Sequence, residues 1–344
     1  MNKKLISIVL VVFLLSVVCG VHLAADDGTA VYVEGWVDLR DSSGDLWELY
    51  IGDPVENGDT VITSDASYAE LEQGDYSTIK ISPNTVFTFL EKESGGEKQS
   101  VYNTALGSAS FKISKTFGRE PSFTTPSVVA GVRGTEFTVF SGTDGSSFIA
   151  VEDGMVEVSS EGESVELGTE EGVEVRPGEP PGEKVKVKRG ELDFSAWNAQ
   201  KSEQFLEDPA GAAERVDNQL ENLIGELQEL IPVYEQNRAR VETEREKLKK
   251  IEEEQGKDAR QEYYQETVFP LEVNTSYMRM NIRYYALSAL SLRRYVTGRM
   301  YVALKSKYIM DLENKKYTRF EEVYKQFLSR FEKEIVPYLV EADI

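Results

Sequence analysis

The chain of 344 residues contains one histidine and one cysteine, the side chains that most often supply general bases, nucleophiles and transition-metal ligands. His22 and Cys19 both lie within the first 25 residues. If those residues form a removable export signal, the mature chain has no imidazole and no thiol. This composition excludes Ser-His-Asp hydrolases, Cys-His transferases, His-ligated metalloenzymes, zinc ribbons and disulfide-stapled modules. We therefore expect a protein that is not an enzyme and that uses no metal or other cofactor.

The residues best suited to bind an anion lie in the segment 273–310, which contains no acid. Its seven bases are Arg279, Arg283, Arg293, Arg294, Arg299, Lys305 and Lys307. Its six tyrosines are Tyr277, Tyr284, Tyr285, Tyr295, Tyr301 and Tyr308. From this set we predict that Arg279, Arg283, Tyr284, Arg293, Arg294 and Arg299 are binding residues.

Three interpretations of this basic segment remain open. It is a central bundle helix whose arginines pair with the glutamate-rich segments 242–254 and 321–334, or a helix that docks onto the acidic first half. In the third interpretation it binds an anionic glycan, a phospholipid headgroup or an acidic protein, and the tyrosine rings supply stacking faces.

Acidic residues dominate the rest of the chain. The net charge is −22, and it becomes −24 if Lys3 and Lys4 leave with an export signal. Such a chain repels phosphates unless its positive charge is locally concentrated. An exported chain rarely meets nucleic acid, so we expect no nucleic-acid partner. The acids Asp38, Asp41, Asp45 and Glu48 surround a Ser-Ser-Gly turn. They either coordinate Ca²⁺ or form a solvated turn, and we favour the turn because their spacing differs from that of an EF-hand.

The first element is a predicted signal peptide over residues 1–25. Residues 1–4 are cationic, and residues 5–18 form an apolar run interrupted only by Ser7 and Ser16. A run of this length is shorter than the roughly 20 residues that a membrane span requires. We predict an exported protein, periplasmic or extracellular, that is cleaved near Ala25. The alternatives are a lipid anchor at Cys19 and an uncleaved membrane anchor.

Residues 26–180 are predicted to form an all-β domain. Short runs of alternating apolar and polar residues are separated by glycine, asparagine, aspartate and proline, a pattern that is typical of strands and tight turns. The alternation does not decide between a sandwich, a roll and a short solenoid.

Five blocks in this half resemble the FecR domain and follow one another in the family's order. They are residues 47–63, residues 67–71, residues 83–85 with 106–107, residues 123–137, and residues 151–158 with 167–168. The block 123–137 is similar to the family's core TP-x-AVAGVRGT-x-F. Within these blocks, the motif residues with an expected structural role are Thr125, Pro126, Gly131, Val132, Arg133, Gly134, Thr135, Phe137 and Gly154. For Arg133, contact with a ligand is the alternative.

The resemblance covers about residues 29–178 and implies an extracytoplasmic all-β module without catalysis. In the iron-uptake regulators that gave the family its name, the domain relays receptor occupancy to a cytoplasmic anti-sigma segment. Only four residues precede the apolar run here. We therefore expect no such segment in this chain.

A linker, residues 181–193, leads into a predicted α-helical bundle over residues 194–344. Helix-forming residues predict helices over 194–206, from Asp208-Pro209 to Pro232, over 233–255, and over about 315–336. A further segment begins near residue 257, and Pro270 interrupts or kinks it. Helices of about 20 residues suggest a bundle of four to six.

Together these features predict a two-domain, cell-envelope binding or scaffolding protein that presents a surface to a partner. The expected partner is an envelope protein, an anionic glycan or a lipid headgroup. One alternative is a sensor subunit that modulates an envelope receptor or transporter. A second alternative, an enzyme that acts on glycans through carboxylates alone, has no identifiable carboxylate pair to support it.

Overall fold

The computed structural model describes residues 28–74, 76–94, 97–114, 121–132, 134–188 and 194–341. A strand-rich region is followed by a helix-rich region, which confirms the predicted fold class. The predicted signal peptide, Cys19, Arg133 and residues 189–193 of the predicted linker lie outside the described residues.

In chain order the strands are β1 Gly28–Glu34, β2 Val37–Arg40, β3 Leu46–Glu48, β4 Pro54–Val55, β5 Thr60–Thr63, β6 Tyr68–Gln73, β7 Ser77–Ile81, β8 Val86–Ser94, β9 Glu97–Ile113, β10 Ser122–Thr124, β11 Val129–Val132, β12 Glu136–Ser141, β13 Ser147–Asp153, β14 Val156–Ser160, β15 Glu163–Leu167, β16 Glu171–Val175 and β17 Val185–Lys186. The helices are α1 Phe194–Glu207, α2 Pro209–Gln255, α3 Lys257–Tyr263, α4 Phe269–Tyr295, α5 Tyr301–Tyr308, α6 Lys315–Glu334 and α7 Val336–Glu341. Two π-helical turns, Tyr264–Val268 and Val296–Met300, join α3 to α4 and α4 to α5.

The strands form two sheets that share the long strand β9. The first sheet has the order β4-β1-β6-β7-β9-β12-β13-β16-β17. The second has the order β3-β2-β5-β8-β9-β10-β11-β14-β15. Strand β9 changes sheets near Gly107, whose φ of 89° and close approach to Thr85 leave no room for a side chain. The described strand pairs are antiparallel except β9 with β10, which is parallel.

One aromatic core joins the two sheets. Phe87, Tyr102 and Phe123 come from the second sheet and contact Phe111 of the first sheet. The Phe111 and Phe137 rings lie 4.9 Å apart. Because the inward residues of both sheets fill a single core, the β region is a sandwich.

The predicted motif residues lie around the turns of this sandwich. Ser147 donates to the buried Thr125 hydroxyl at 2.6 Å, and the Thr135 hydroxyl donates to the Met155 carbonyl at 2.8 Å. Gly154 has a φ of 94°, and a Cβ there would lie 2.8 Å from the Gly134 carbonyl oxygen. The other motif residues also lie on these strands and turns: Pro126 and Val132 are buried, Gly131 is exposed, and Phe137 belongs to the core.

The predicted start of α2 is observed, but its predicted end is wrong. Asp208 accepts a hydrogen bond from the Gly211 N–H, and Pro209 occupies the first turn. The helix then continues through Pro232 for 47 residues and ends at Gly256. Pro232 is exposed, so water can satisfy the carbonyl that loses its partner, while the buried stripe continues through Ile231.

The remaining helices pack around α2. Helix α2 contacts α4 and α6, and their buried side chains form one apolar cluster. Pro270 lies in the first turn of α4. The helix predicted over about 315–336 ends before Pro337 as expected, at Glu334, and Pro337 lies in the first turn of the separate short helix α7. No helix within the described ranges is long and apolar enough to span a membrane.

Candidate anion-binding site between the strand and helix regions

Helix α4 covers part of the outer face of the second sheet. Phe89 of β8 points into the sandwich core, so its neighbours Thr88 and Leu90 point outward. Leu90 and Val101 are nevertheless fully buried, because Leu287 of α4 packs against them. The sheet thus buries apolar residues on both faces, and one of these faces depends on the helix.

Polar contacts fix α4 at both ends of this apolar contact. The Asn281 side-chain oxygen accepts a hydrogen bond from the Glu93 N–H at 2.7 Å. About four turns further along, the Tyr295 hydroxyl donates to the Thr143 carbonyl at 2.6 Å. Burial raises the pKa of Tyr295, so the hydroxyl remains a donor. These bonds set the position of α4 along the sheet.

Two predicted binding arginines also contact the strand region. Arg283 donates to the Asn57 carbonyl at 3.2 Å. Arg294 donates to the Thr60 hydroxyl at 2.9 Å and to the Asp41 carbonyl at 3.1 Å. For these two residues the structure therefore favours docking onto the first half over pairing with the glutamate-rich helices.

Beside Arg294 lies a pocket of about 390 Å³ between the β2–β3 turn and the end of α4. Three of its lining residues, Arg40, Arg293 and Arg294, carry a guanidinium group. The remaining lining residues are Ser43, Gly44, Leu290, Thr297 and Gly298. Guanidinium groups bind carboxylates, phosphates and sulfates through paired N–H donors, so this is the chemistry of an oxyanion site.

Three guanidinium groups bring positive charge to the pocket. Burial, followed by the charge of Arg40, lowers the pKa of Arg294 to about 10, and the charge of Arg293 acts in the same direction. The carboxylates of Asp41 and Asp59 oppose this shift. Arg294 nevertheless remains protonated at neutral pH. Among the residues that the structure describes, no carboxylate forms an ion pair with any of these three arginines.

Arg293 packs against an aromatic ring, and within the described ranges one of its N–H donors has no hydrogen-bond partner. Its guanidinium lies 5.3 Å from the centre of the Phe331 ring, a cation–π contact. Its Nε atom is buried and has no hydrogen-bond partner within the described ranges. The π-helical turn that follows brings Thr297 and Gly298 to the pocket wall, and such turns are frequent at functional sites.

The other predicted binding residues lie elsewhere along the helix. Arg279 is exposed, and Arg299 is partly buried, which lowers its pKa. Tyr284 packs beneath the Lys92 ammonium, 5.7 Å from the ring centre, and burial raises its pKa. A rise of about 1.5 Å per residue separates Arg279 from Arg299 by about 30 Å, so the predicted set does not form one site.

Sequence reasoning missed Arg40, although it singled out the acidic turn that follows it. A signal was present, because Arg40 is a base on the outward face of β2, whose inward residue Leu39 is buried. In that turn the Asp41 carboxylate accepts hydrogen bonds from Ser43, Gly44 and Asp45. These bonds hold its pKa below the ordinary value although partial burial opposes them. The described residues contain no group of three or more side chains placed to hold a metal ion.

Comparison with known proteins confirms the FecR resemblance. The family model described as FecR protein matches residues 59–157. Two crystal structures of a candidate anti-sigma factor from Parabacteroides distasonis ATCC 8503, at 1.65 and 2.50 Å resolution, are each 17% identical to this chain with a TM-score of 0.34. Each match covers 40% of this chain and 63% of the other, so this chain spans less than two thirds of their length. None of the curated proteins compared with the chain matches it.

Proposed function

We propose that this protein is a non-enzymatic binding and regulatory protein of the cell envelope whose arginine-lined pocket recognises an oxyanion carried by a partner. The observation that supports this proposal is the convergence of Arg40, Arg293 and Arg294 on one pocket without an ion-paired carboxylate in the described part of the chain. Like charges brought together and partly buried are unfavourable unless an opposite charge joins them. The carboxylates of Asp41 and Asp59 offset part of this repulsion at Arg294, and a bound carboxylate, sulfate or phosphate would add opposite charge within the pocket itself.

The position of the pocket supports a regulatory role for the same site. Two regions of the chain contribute to its wall, since Arg40 belongs to β2 and Arg293 to α4. Arg294 also holds the regions together through Thr60 and Asp41. An anion in the pocket would therefore bind the assembled form better than a separated one, and binding would stabilise that form.

Calorimetric titration of the purified protein with inorganic sulfate and with a sulfated disaccharide tests the proposal. We expect Arg40→Gln and Arg293→Gln each to weaken binding at least tenfold. Arg238→Gln is the matched control, because it removes the same charge from an exposed position on α2. Equal weakening by the control would mean that the anion responds only to total charge, and it would overturn the proposal.

A further inference from the structure

The outer face of the β2–β3 hairpin exposes two aromatic side chains beside two carboxylates. Trp36 is 58% exposed and Tyr50 is 59% exposed. The Trp36 indole N–H donates to Asp38 at 3.0 Å, and the Tyr50 hydroxyl donates to Glu48 at 2.8 Å. Both rings are thus oriented by their polar atoms, while much of their surface remains open to solvent.

The two carboxylates lie directly opposite each other. Asp38 of β2 is the register partner of Glu48 of β3. Like charges at opposed positions of a strand pair repel one another. Across the described ranges, neither carboxylate forms an ion pair with a lysine or arginine. The arrangement therefore provides two negative charges and two aromatic rings that together favour a cation.

Strand β3 is also an edge. Within the described part of the chain it pairs with β2 alone. The Leu49 N–H bonds to Val37 and the Asp45 carbonyl accepts from Asp41, so the odd-numbered residues face β2. Because backbone groups alternate along a strand, those of Leu46 and Glu48 face the open edge. A second extended chain can therefore bond to β3 while its side chains reach the rings and carboxylates.

We infer that this edge binds an extended, lysine- or arginine-bearing segment of a partner protein, which adds a strand beside β3 and places a cationic side chain among Trp36, Asp38, Glu48 and Tyr50. Strand addition of this kind derives its affinity from backbone bonds and its specificity from alternate side chains. A neutral glycan would stack on the rings but would leave the carboxylate repulsion uncompensated. The observations therefore favour a basic peptide. This site adjoins the arginine pocket, because Asp38 and Arg40 share the outward face of β2, but it is opposite to the pocket in charge.

The test uses the peptide acetyl-Val-Lys-Val-Lys-Val-Lys-amide and measures its affinity for the purified protein by isothermal titration calorimetry. We expect Asp38→Asn with Glu48→Gln, and separately Trp36→Ala, to weaken binding at least tenfold. Glu72→Gln is the matched control, because it removes an exposed carboxylate from the first sheet. The same peptide with methyl groups on alternate backbone nitrogens keeps its charges but cannot add a strand, so we expect it to bind at least tenfold more weakly.

Several outcomes would overturn the inference. Equal weakening by Glu72→Gln would reduce the effect to general charge attraction. Undiminished binding of the methylated peptide would exclude strand addition. Failure of the lysine peptide to bind would also overturn it. So would the binding of a hexamer of N-acetylglucosamine in its place, if Trp36→Ala abolished that binding. Because all the variant positions are partly or largely exposed, far-ultraviolet circular dichroism will confirm that the variants fold.

Discussion

Tyr295 joins the helical region to the strand region through one buried hydroxyl group. It is 1% exposed and donates to the Thr143 carbonyl at 2.6 Å. Tyr295→Phe removes the donor and leaves the carbonyl unpaired, so we expect a loss of about 1–3 kcal/mol in the free energy of unfolding by urea. Tyr68→Phe, at a position 45% exposed, is the control and should change that free energy by less than about 0.5 kcal/mol. Equal effects of the two variants would contradict this role for the hydroxyl.

Glu174 predicts a dependence of stability on pH. Burial opposes its charged form, but hydrogen bonds from Lys201 at 2.7 Å and from Trp197 at 3.1 Å outweigh it and lower the pKa. Because the folded pKa is depressed, this stabilisation is fully present above the unfolded value of about 4.3 and is lost as pH falls through the folded pKa.

Urea unfolding between pH 7 and pH 3 measures this effect. We expect Glu174→Gln to lower stability at pH 7, because it leaves the buried Lys201 without its ionic partner, and to make stability less dependent on pH. Glu72→Gln should leave the pH profile unchanged, because the exposed Glu72 carboxylate gains no contacts on folding that compare with those of Glu174. A Glu174→Gln profile parallel to that of the unmodified protein would contradict the role of this carboxylate.

The arginine pocket shows which part of a site a sequence reveals. Arg293 and Arg294 stand out in the sequence, because they belong to a segment of 38 residues without acids. Arg40 is one base among many acids in the first half, and it reaches the other two only through folding. Its contribution depends on how β2 and α4 pack, and no spacing along the chain encodes that contact.

Pro232 offers a prediction at the scale of the helix. It interrupts the hydrogen bonding of α2 at an exposed position, and proline within a helix costs about 3 kcal/mol relative to alanine. Pro232→Ala also loosens the unfolded chain, which offsets about 1 kcal/mol of the gain. We therefore expect a net stabilisation of about 1–2 kcal/mol in thermal and urea unfolding. A destabilised variant would show that Pro232 is needed for a bend in α2.

Two glycine turns offer a second prediction at this scale. Gly154 lies between β13 and β14, and Gly162 lies between β14 and β15. Gly154 and Gly162 both have positive φ, but only at Gly154 would a Cβ meet backbone, 2.8 Å from the Gly134 carbonyl. We expect Gly162→Ala to cost about 1–2 kcal/mol in conformational strain. Gly154→Ala should cost a further 1–3 kcal/mol, roughly, because the backbone must shift. Urea unfolding of the two variants isolates this steric contribution, and equal losses would contradict it.

Elements were predictable where local pattern decides them. Alternation predicted the strand-rich region, and the Asp208-Pro209 pair predicted the start of α2. The end of α2 was not predictable from Pro232, because the buried stripe on the opposite side of the helix outweighs the lost hydrogen bond. The choice of a sandwich was hidden as well, since it depends on β9 serving both sheets through long-range pairing.

At the scale of the whole molecule, the basic segment links two acidic parts. Residues 26–190 carry 31 acids and 13 bases, and residues 191–344 carry 29 acids and 23 bases. The net negative charge of both parts opposes their association. Arg283 and Arg294 place positive charge against the more acidic part and bond to its backbone. The contact therefore combines charge complementarity with the burial of Leu287.

If this contact is stable, the two regions should unfold as one cooperative unit. In a Trp197→Phe background, the fluorescence of Trp36 and Trp47 reports on the strand region, and circular dichroism at 222 nm reports mainly on the helices. We expect the two signals to follow one urea transition. Leu287→Asp places an unpaired carboxylate against Leu90 and Val101, which should cost about 3–5 kcal/mol and separate the transitions. Leu312→Asp, at a position 45% exposed, should leave them coincident. Coincident transitions in Leu287→Asp would show that the two regions are held together by contacts other than this one.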